Sequence, residues 1–178
     1  MARLVLLLRG VNVGKGNRIG MAELRSALER AGYDDVRTHL QSGNVVLSTR
    51  KRPVGAAGDC ARIVRERFGL DIEVQARSRD ELAEVVRHDP LGSVATDPSR
   101  YQVTFLAGEL APAVVERLEA TAAGGERVVA LGREVYAWHP AGVARSKLWA
   151  LLAGRELGVS ATSRNWTTVK RLLELAGD

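Results

Sequence analysis

A single cysteine, Cys60, occurs in the 178 residues of this chain. No intrachain disulfide can form, and cysteine spacing points to no zinc or dithiol chemistry. Its neighbours repeat at helical spacing, so it reads as an inert core thiol. Aromatic residues are equally scarce, with three Trp, three Tyr and two Phe making up 4%. RNA-recognition sheets stack bases on exposed aromatics of their central strands, and residues 3–8 and 44–48 contain none. Tyr101, Phe105, Tyr136 and Trp138 lie in the second half, where core packing is the usual fate of such side chains. Base reading is disfavoured on these grounds, while electrostatic tracking of a phosphate backbone stays open.

Long apolar runs are also absent. The N-terminal run covers residues 4–8, short of the ~7–15 residues of a signal-peptide core and the ~20 of a membrane span. Cytoplasm is the expected location, with no membrane partner. His39, His88 and His139 stand far apart and none has a second ligand type at a metal-motif distance, so no metal site is expected. The sequence leaves any cofactor unknown.

What is present is ordinary for a folded protein: 46% hydrophobic and 26% charged residues, well away from the composition of disorder. The length suits one good core or two small ones. A net charge of +5 and a pI near 9.9 are compatible with nucleic acid, a phosphorylated ligand or an acidic partner protein.

The charge is not spread evenly. Arg3, Arg9, Lys15 and Arg18 all precede the first acidic residue, Glu23. They flank an apolar strand, residues 3–8, that runs into a glycine-rich loop with Gly10, Gly14, Gly16 and Gly20. Glycine reaches positive φ without steric cost and leaves its N–H approachable, so such a loop can present amide groups to an anion. The Walker pattern fails, because Gly10 to Gly14-Lys15 encloses three residues and Gly16 stands where Ser or Thr would reach magnesium. The dinucleotide fingerprint fails as well. Gly14-Lys15-Gly16-Asn17-Arg18-Ile19-Gly20 is one residue too long, and a hairpin follows in place of a parallel crossover. A generic basic nest remains, set against a turn that merely joins strand to helix.

Along the chain, Met21, Leu24, Ala27, Leu28 and Ala31 recur at helical spacing before Gly32. Residues 36–41 alternate, with Val36, Thr38 and Leu40 on one face and Arg37, His39 and Gln41 on the other. Ser42-Gly43 joins them to a strand over 44–48. A helix is expected over 56–68 and a strand over 71–76. The order β-α-β-β-α-β is that of the ferredoxin-like split β-α-β arrangement, with helices on one face of an antiparallel sheet. A short helix near 80–87 and a turn-rich linker follow. The second half repeats the pattern: a strand over 100–106, a helix over 112–121, a hairpin of 126–131 with 134–138 across Gly132-Arg133, a helix over 143–152, and a last helix near 164–176 capped by Thr162 or Ser163. The expected class is therefore α+β with two ferredoxin-like halves, residues 1–78 and 101–178, joined by a short helix and linker over 79–100.

Leu8-Arg9-Gly10-Val11-Asn12-Val13-Gly14, Met21-Ala22-Glu23-Leu24, Gln41-Ser42-Gly43-Asn44-Val45-Val46 and Thr162-Ser163-Arg164-Asn165-Trp166-Thr167-Thr168-Val169 together resemble the bacterial domain-of-unknown-function family 1697. The resemblance implies a compact α+β protein built from two ferredoxin-like halves. It implies no activity and assigns no catalytic residue.

The candidate ligand-binding residues rest on their own chemistry. They are Arg9, Gly10, Asn12, Gly14, Lys15 and Arg18 of the loop, Arg37, His39, Gln41, Ser42 and Asn44 of the neighbouring hairpin, and Arg164, Asn165 and Thr167 at an expected helix start. Ser42 with His39 three residues before it lacks a third orienting group and the nucleophile-elbow flanks, so it reads as a turn serine. Asp34-Asp35 reads as a solvated turn. Three readings follow: a module that binds a phosphate-bearing small molecule or a nucleic-acid backbone, an enzyme acting on such a ligand with His39 as the group titrating near neutrality, and an interaction module for an acidic protein.

Overall fold

In the computed structural model, which describes residues 1–177, the apolar run of residues 4–8 lies inside strand β1 (Ala2–Leu8). Leu4, Leu6 and Leu8 face one core while Val5 and Leu7 point to the opposite side of the sheet, and all five are fully buried. Burial on both faces is why the run does not alternate with polar residues. Each such side chain contributes roughly 1.5–3 kcal/mol, which makes β1 the anchor of its sheet.

The first sheet has the order β2-β3-β1-β4, with β2 Asp34–His39, β3 Asn44–Thr49 and β4 Val74–Ser78. Every neighbouring pair is antiparallel. Helices α1 (Met21–Arg30) and α2 (Pro53–Phe68) cover the Leu4/Leu6/Leu8 face through Leu24, Leu28, Cys60 and Val64. Helix α2 begins earlier than its apolar spacing alone indicates, because Pro53 suits the first helical turn. It ends at Gly69 in the left-handed conformation, φ 67°. Burial pushes the Cys60 thiol up to about 12, so it is an inert core residue. Helix α3, Arg79–His88, follows β4 without a gap.

The second sheet repeats this plan. Strands β5 (Tyr101–Leu106), β6 (Arg127–Leu131), β7 (Glu134–Trp138) and β8 (Ala161–Asn165) take the order β6-β7-β5-β8, again antiparallel throughout. Helices α4 (Pro112–Thr121) and α5 (Lys147–Ala153) supply Leu118, Leu148 and Leu152 to a core with Leu106, Val135 and Ala137. Gly132 has φ 56° in the two-residue β6–β7 turn. Tyr101 and Phe105 are buried, and the Tyr101 ring stacks on Trp166 at 4.7 Å between centroids. Helix α6 (Trp166–Gly177) closes the chain. The class is thus α+β, with two similar halves each built on a four-stranded antiparallel sheet. By contacts the chain forms two compact units, residues 85–170 and residues 1–84 together with those from Arg171 onward. No helix among the described residues is long and apolar enough to cross a membrane.

Four expectations are corrected. Residues 161–165 form strand β8, not the first turn of a helix. Its buried side chains include Thr162 and Arg164, so polar residues occupy positions where an apolar alternation would have announced a strand. Helix α6 therefore starts at Trp166, and its cap is Asn165, whose Oδ1 accepts the Thr168 N–H at 2.9 Å, in place of Thr162 or Ser163. Strand β2 ends at His39, which pairs with Asn44, so Gln41 belongs to the connection over 40–43 and Leu40 is 56% exposed instead of sharing the buried face with Val36. Helix α5 begins only at Lys147, because residues 141–146 form turns ahead of the Ser146 cap.

Candidate functional site

Residues 9–20 connect β1 to α1 as a loop tied to the sheet and to itself. The Leu8 N–H donates to Gly43 O at 2.9 Å and the Arg9 N–H to Glu73 O at 2.9 Å. Asn12 is the internal clamp. At φ 54° it directs Nδ2 to Ile19 O (3.0 Å) and Gln41 O (2.7 Å), while its Oδ1 accepts the Ile19 N–H at 2.9 Å. Asn17 Nδ2 donates to Gly10 O, and the Asn12 N–H to Asn17 O. Val11 and Ile19 are buried and root the loop in the core. Between these roots Val13, Gly14, Lys15, Gly16, Asn17 and Arg18 are all exposed. A Cβ added at Gly10, Gly14 or Gly16 would meet nothing within 4 Å, so the outer surface of the loop is open.

The four early cations divide into two kinds. Arg3 ion-pairs with Asp35 and also reaches Ser48 Oγ and the Leu175 and Ala176 carbonyls. Arg9 pairs with Glu73 at 3.3 Å. Both thus have carboxylate partners distant in sequence. Lys15 is exposed on the loop, and Arg18 Nη2 donates to Gly14 O at 2.7 Å while its side chain stays exposed. Lys15 and Arg18 are the cations the loop presents outward.

The 40–43 connection lies against this loop. Besides the Asn12–Gln41 bond, Gly43 sits so close to β1 that a Cβ would come within 2.5 Å of Val11 Cγ2 and 2.9 Å of Leu8 Cβ, and its φ is 87°. Only glycine satisfies both the approach and the dihedral. Asn44 is fully buried and closes the turn through Nδ2 to His39 O and Ser42 Oγ. Ser42 and Gln41 are exposed. Arg37 pairs with Asp35 at 3.2 Å; the Arg3 hydrogen bond, with the Arg3 and Arg37 charges behind it, outweighs the opposing effect of burial and holds that carboxyl below its usual range. The acidic pair read as a plain solvated turn therefore includes an anchor for two arginines, and the register shift between Asp34 and Arg37 with φ 47° at Asp35 is its local cause. His39 is half-buried. Burial first and the Arg171 charge second pull its imidazole below the ordinary range, so it is neutral at pH 7.

Arg164, Asn165 and Thr167 belong to the other unit and stand apart from the loop in their roles. Arg164 is buried on β8, donating to Thr162 Oγ1 and Ser163 O at 2.8 Å each, and burial pulls its guanidinium down to about 10. Asn165 caps α6, and Thr167 is exposed in the first turn.

Sequence reading passed over one cluster. Glu126 Oε2 receives His139 Nδ1 at 2.5 Å and Ser146 Oγ at 2.5 Å, and Ser146 Oγ also accepts the Trp149 N–H at 3.0 Å. Burial acts to raise the Glu126 carboxyl, but the hydrogen bonds from Ser146, His139 and the Ala123 N–H outweigh it and hold it below the usual range. An ionised carboxylate only accepts, so the Nδ1 proton resides on His139. His139 is fully buried and its Nε2 has no partner among the described residues. The three residues are spread over 20 positions of chain, and the one trace in the sequence is a histidine directly after an apolar strand. Serine and carboxylate both lie on the Nδ1 side, so this is not a hydrolase triad, which needs the serine at Nε2. No group of three His, Cys, Asp or Glu side chains among the described residues is placed to hold a metal.

A duplicated α+β protein with one elaborated basic loop is the class these features define. Over residues 1–136 the sequence matches the family described as protein of unknown function (DUF1697), and the chain belongs to that family. The matched stretch includes the loop and the 40–43 connection and stops short of β8. A search of curated proteins found no match. Among solved structures, the conserved bacterial protein SP0830 from Streptococcus pneumoniae is similar over 98% of both chains, at 20% identity and a TM-score of 0.79. A likeness at that identity is one of fold.

Proposed function

We propose that this protein is a cytoplasmic binding module that contacts a phosphate-bearing ligand through Lys15 and Arg18 of the 9–20 loop, with each half a ferredoxin-like unit. The observation that carries the reading is the pairing of a rigid base with an open basic crest: Asn12 clamps the loop at three points while Gly14, Lys15, Gly16 and Arg18 face solvent. A pre-ordered loop spends little conformational entropy on binding. An exposed crest suits the backbone of an extended polyanion such as nucleic acid better than a small molecule that needs enclosure. Arg9 and Arg37 support the loop and hairpin through Glu73 and Asp35.

The test is binding of a single-stranded oligonucleotide as a function of salt. For Lys15→Ala/Arg18→Ala, the slope of log affinity against log salt is expected to fall by about 1–2 and the affinity to drop at every sequence alike, with thermal unfolding unchanged. Equal binding by wild type and the double variant would overturn the reading and leave the loop a structural connection. A saturable nucleotide with weak salt dependence would move the assignment to a phosphorylated small molecule.

A further inference from the structure

The second unit contains a cavity of about 630 Å³ bounded by the end of α4, the 123–126 turn and residues 141–147 after β7. Its volume falls within the roughly 300–1,000 Å³ range of small-molecule sites. Two cations line it, Arg145 and Lys147, both exposed. Among the described residues neither is engaged in an ion pair or side-chain hydrogen bond. Elsewhere arginines of this chain commonly have carboxylate partners, as Arg3, Arg9, Arg62 and Arg117 do.

Glu126 and Ser146 line the same cavity. The Glu126 carboxylate is already answered by His139, Ser146 and the Ala123 N–H, so much of its repulsion toward an incoming anion is offset. The cluster also ties down the cation-bearing segment, since Ser146 Oγ donates to Glu126 Oε2 at 2.5 Å, and the segment itself is folded by backbone turns, with the Gly142 N–H donating to His139 O at 2.8 Å and the Ser146 N–H to Val143 O at 3.1 Å. Arg145 and Lys147 flank the tethered Ser146, so the bond to Glu126 places both cations on the cavity wall. The repeat shows that the fold does not require the cluster. By strand register Thr49 occupies in the first half the place of His139 in the second, and its hydroxyl merely accepts the Lys51 N–H.

We propose that this cavity binds a small anion carrying a phosphate or carboxylate group, with Arg145 and Lys147 as its charge partners and Glu126, His139 and Ser146 as the support that positions them. It is independent of the 9–20 loop, which contributes no residue to it.

The test is an NMR titration of the full chain with inorganic phosphate and, separately, acetate at low ionic strength. Saturable shifts are expected at the amides of Gly124, Gly142 and Lys147 with at least one probe. Arg145→Gln/Lys147→Gln is expected to weaken the response at least tenfold with unchanged thermal unfolding, and Lys15→Gln/Arg18→Gln to leave it within twofold. If the cavity double variant loses its folded spectrum, Lys147→Glu alone is judged by the same tenfold criterion. A response to phosphate alone assigns a tetrahedral head group, and one to acetate alone a carboxylate. No saturable shift at these amides with either probe, undiminished binding by the cavity variant, or a response abolished by Lys15→Gln/Arg18→Gln would overturn the proposal.

Discussion

Leu8 and Leu106 occupy the same place in the two halves. Leu8 donates its N–H to Gly43 O and the next residue, Arg9, to Glu73 O; Leu106 donates to Arg133 O and the next residue, Ala107, to Ser160 O, all at 2.9 Å. Beyond this shared frame the halves diverge. In the second, residues 107–111 cross to α4 with no cation among them, whereas in the first residues 9–20 reach α1 through a clamped basic loop. Conversely, the second half has the Glu126, His139 and Ser146 cluster where the first has Thr49. The frame shows which features a β-α-β-β-α-β unit needs for itself. Those found in only one half are better sought in function or in special packing.

The largest effect that would break this comparison is expected at the hairpin turns. Gly43→Ala forces a side chain into Val11 and Leu8 at φ 87°, and should cost about 3 kcal/mol from left-handed strain and overpacking together. At the equivalent position Arg133→Gly should change stability by no more than about 1 kcal/mol. Denaturant unfolding of both variants checks the asymmetry, and equal losses would contradict it.

Next, Asn12→Ala removes three hydrogen bonds at a positive-φ position and should destabilise by about 2 kcal/mol. Faster hydrogen exchange at the Ile19 amide is the local sign, with no corresponding change at residues 107–111.

A sharper test of the repeat uses the strand-to-helix joints. Ser78 Oγ accepts the Glu81 N–H at 3.1 Å, and Glu81 returns a bond to the Ser78 N–H, a capping box for α3. Asn165 caps α6 at the matching position after β8. Ser78→Ala and Asn165→Ala should each lower stability by about 1 kcal/mol, and a twofold or larger disparity in thermal unfolding would show that the joints are not equivalent.

The smallest effect concerns His39. Its folded imidazole titrates below its ordinary value, first through burial and then through Arg171. Its contribution to stability is therefore complete above the unfolded value of about 6.5 and is lost as pH falls through that value toward the folded one. His39→Gln should flatten the decline in stability on the acid side of neutrality, read from denaturation midpoints between pH 7 and 5, and leave the midpoint at pH 8 nearly unchanged.

Much of the frame was legible without coordinates. Residues 4–8 read as a strand buried on both faces, helical spacing placed α1 and α2, and Gly132-Arg133 placed the β6–β7 turn, because apolar period and turn chemistry are local signals. Strand β8 was not legible, since Thr162 and Arg164 are buried polar residues that satisfy themselves through local hydrogen bonds. The site was legible only in outline. Lys15 and Arg18 are exposed as a basic glycine-rich loop suggests, but Arg9 and Arg3 looked equally unopposed until Glu73 and Asp35 came beside them.

By itself the sequence determined the alternation of strands and helices up to the last strand, the repetition of that order, the basic character of the first loop and the turn at Ser42-Gly43, all of which depend on residues near one another in the chain. The tertiary structure decided which cations are neutralised, that Asn12 is a clamp and Asn165 a cap, that Gly43 is pressed against Leu8 and Val11, and that Glu126, His139 and Ser146 meet beside a cavity. Those outcomes depend on distances between side chains many residues apart, which only the packing of sheets and helices sets.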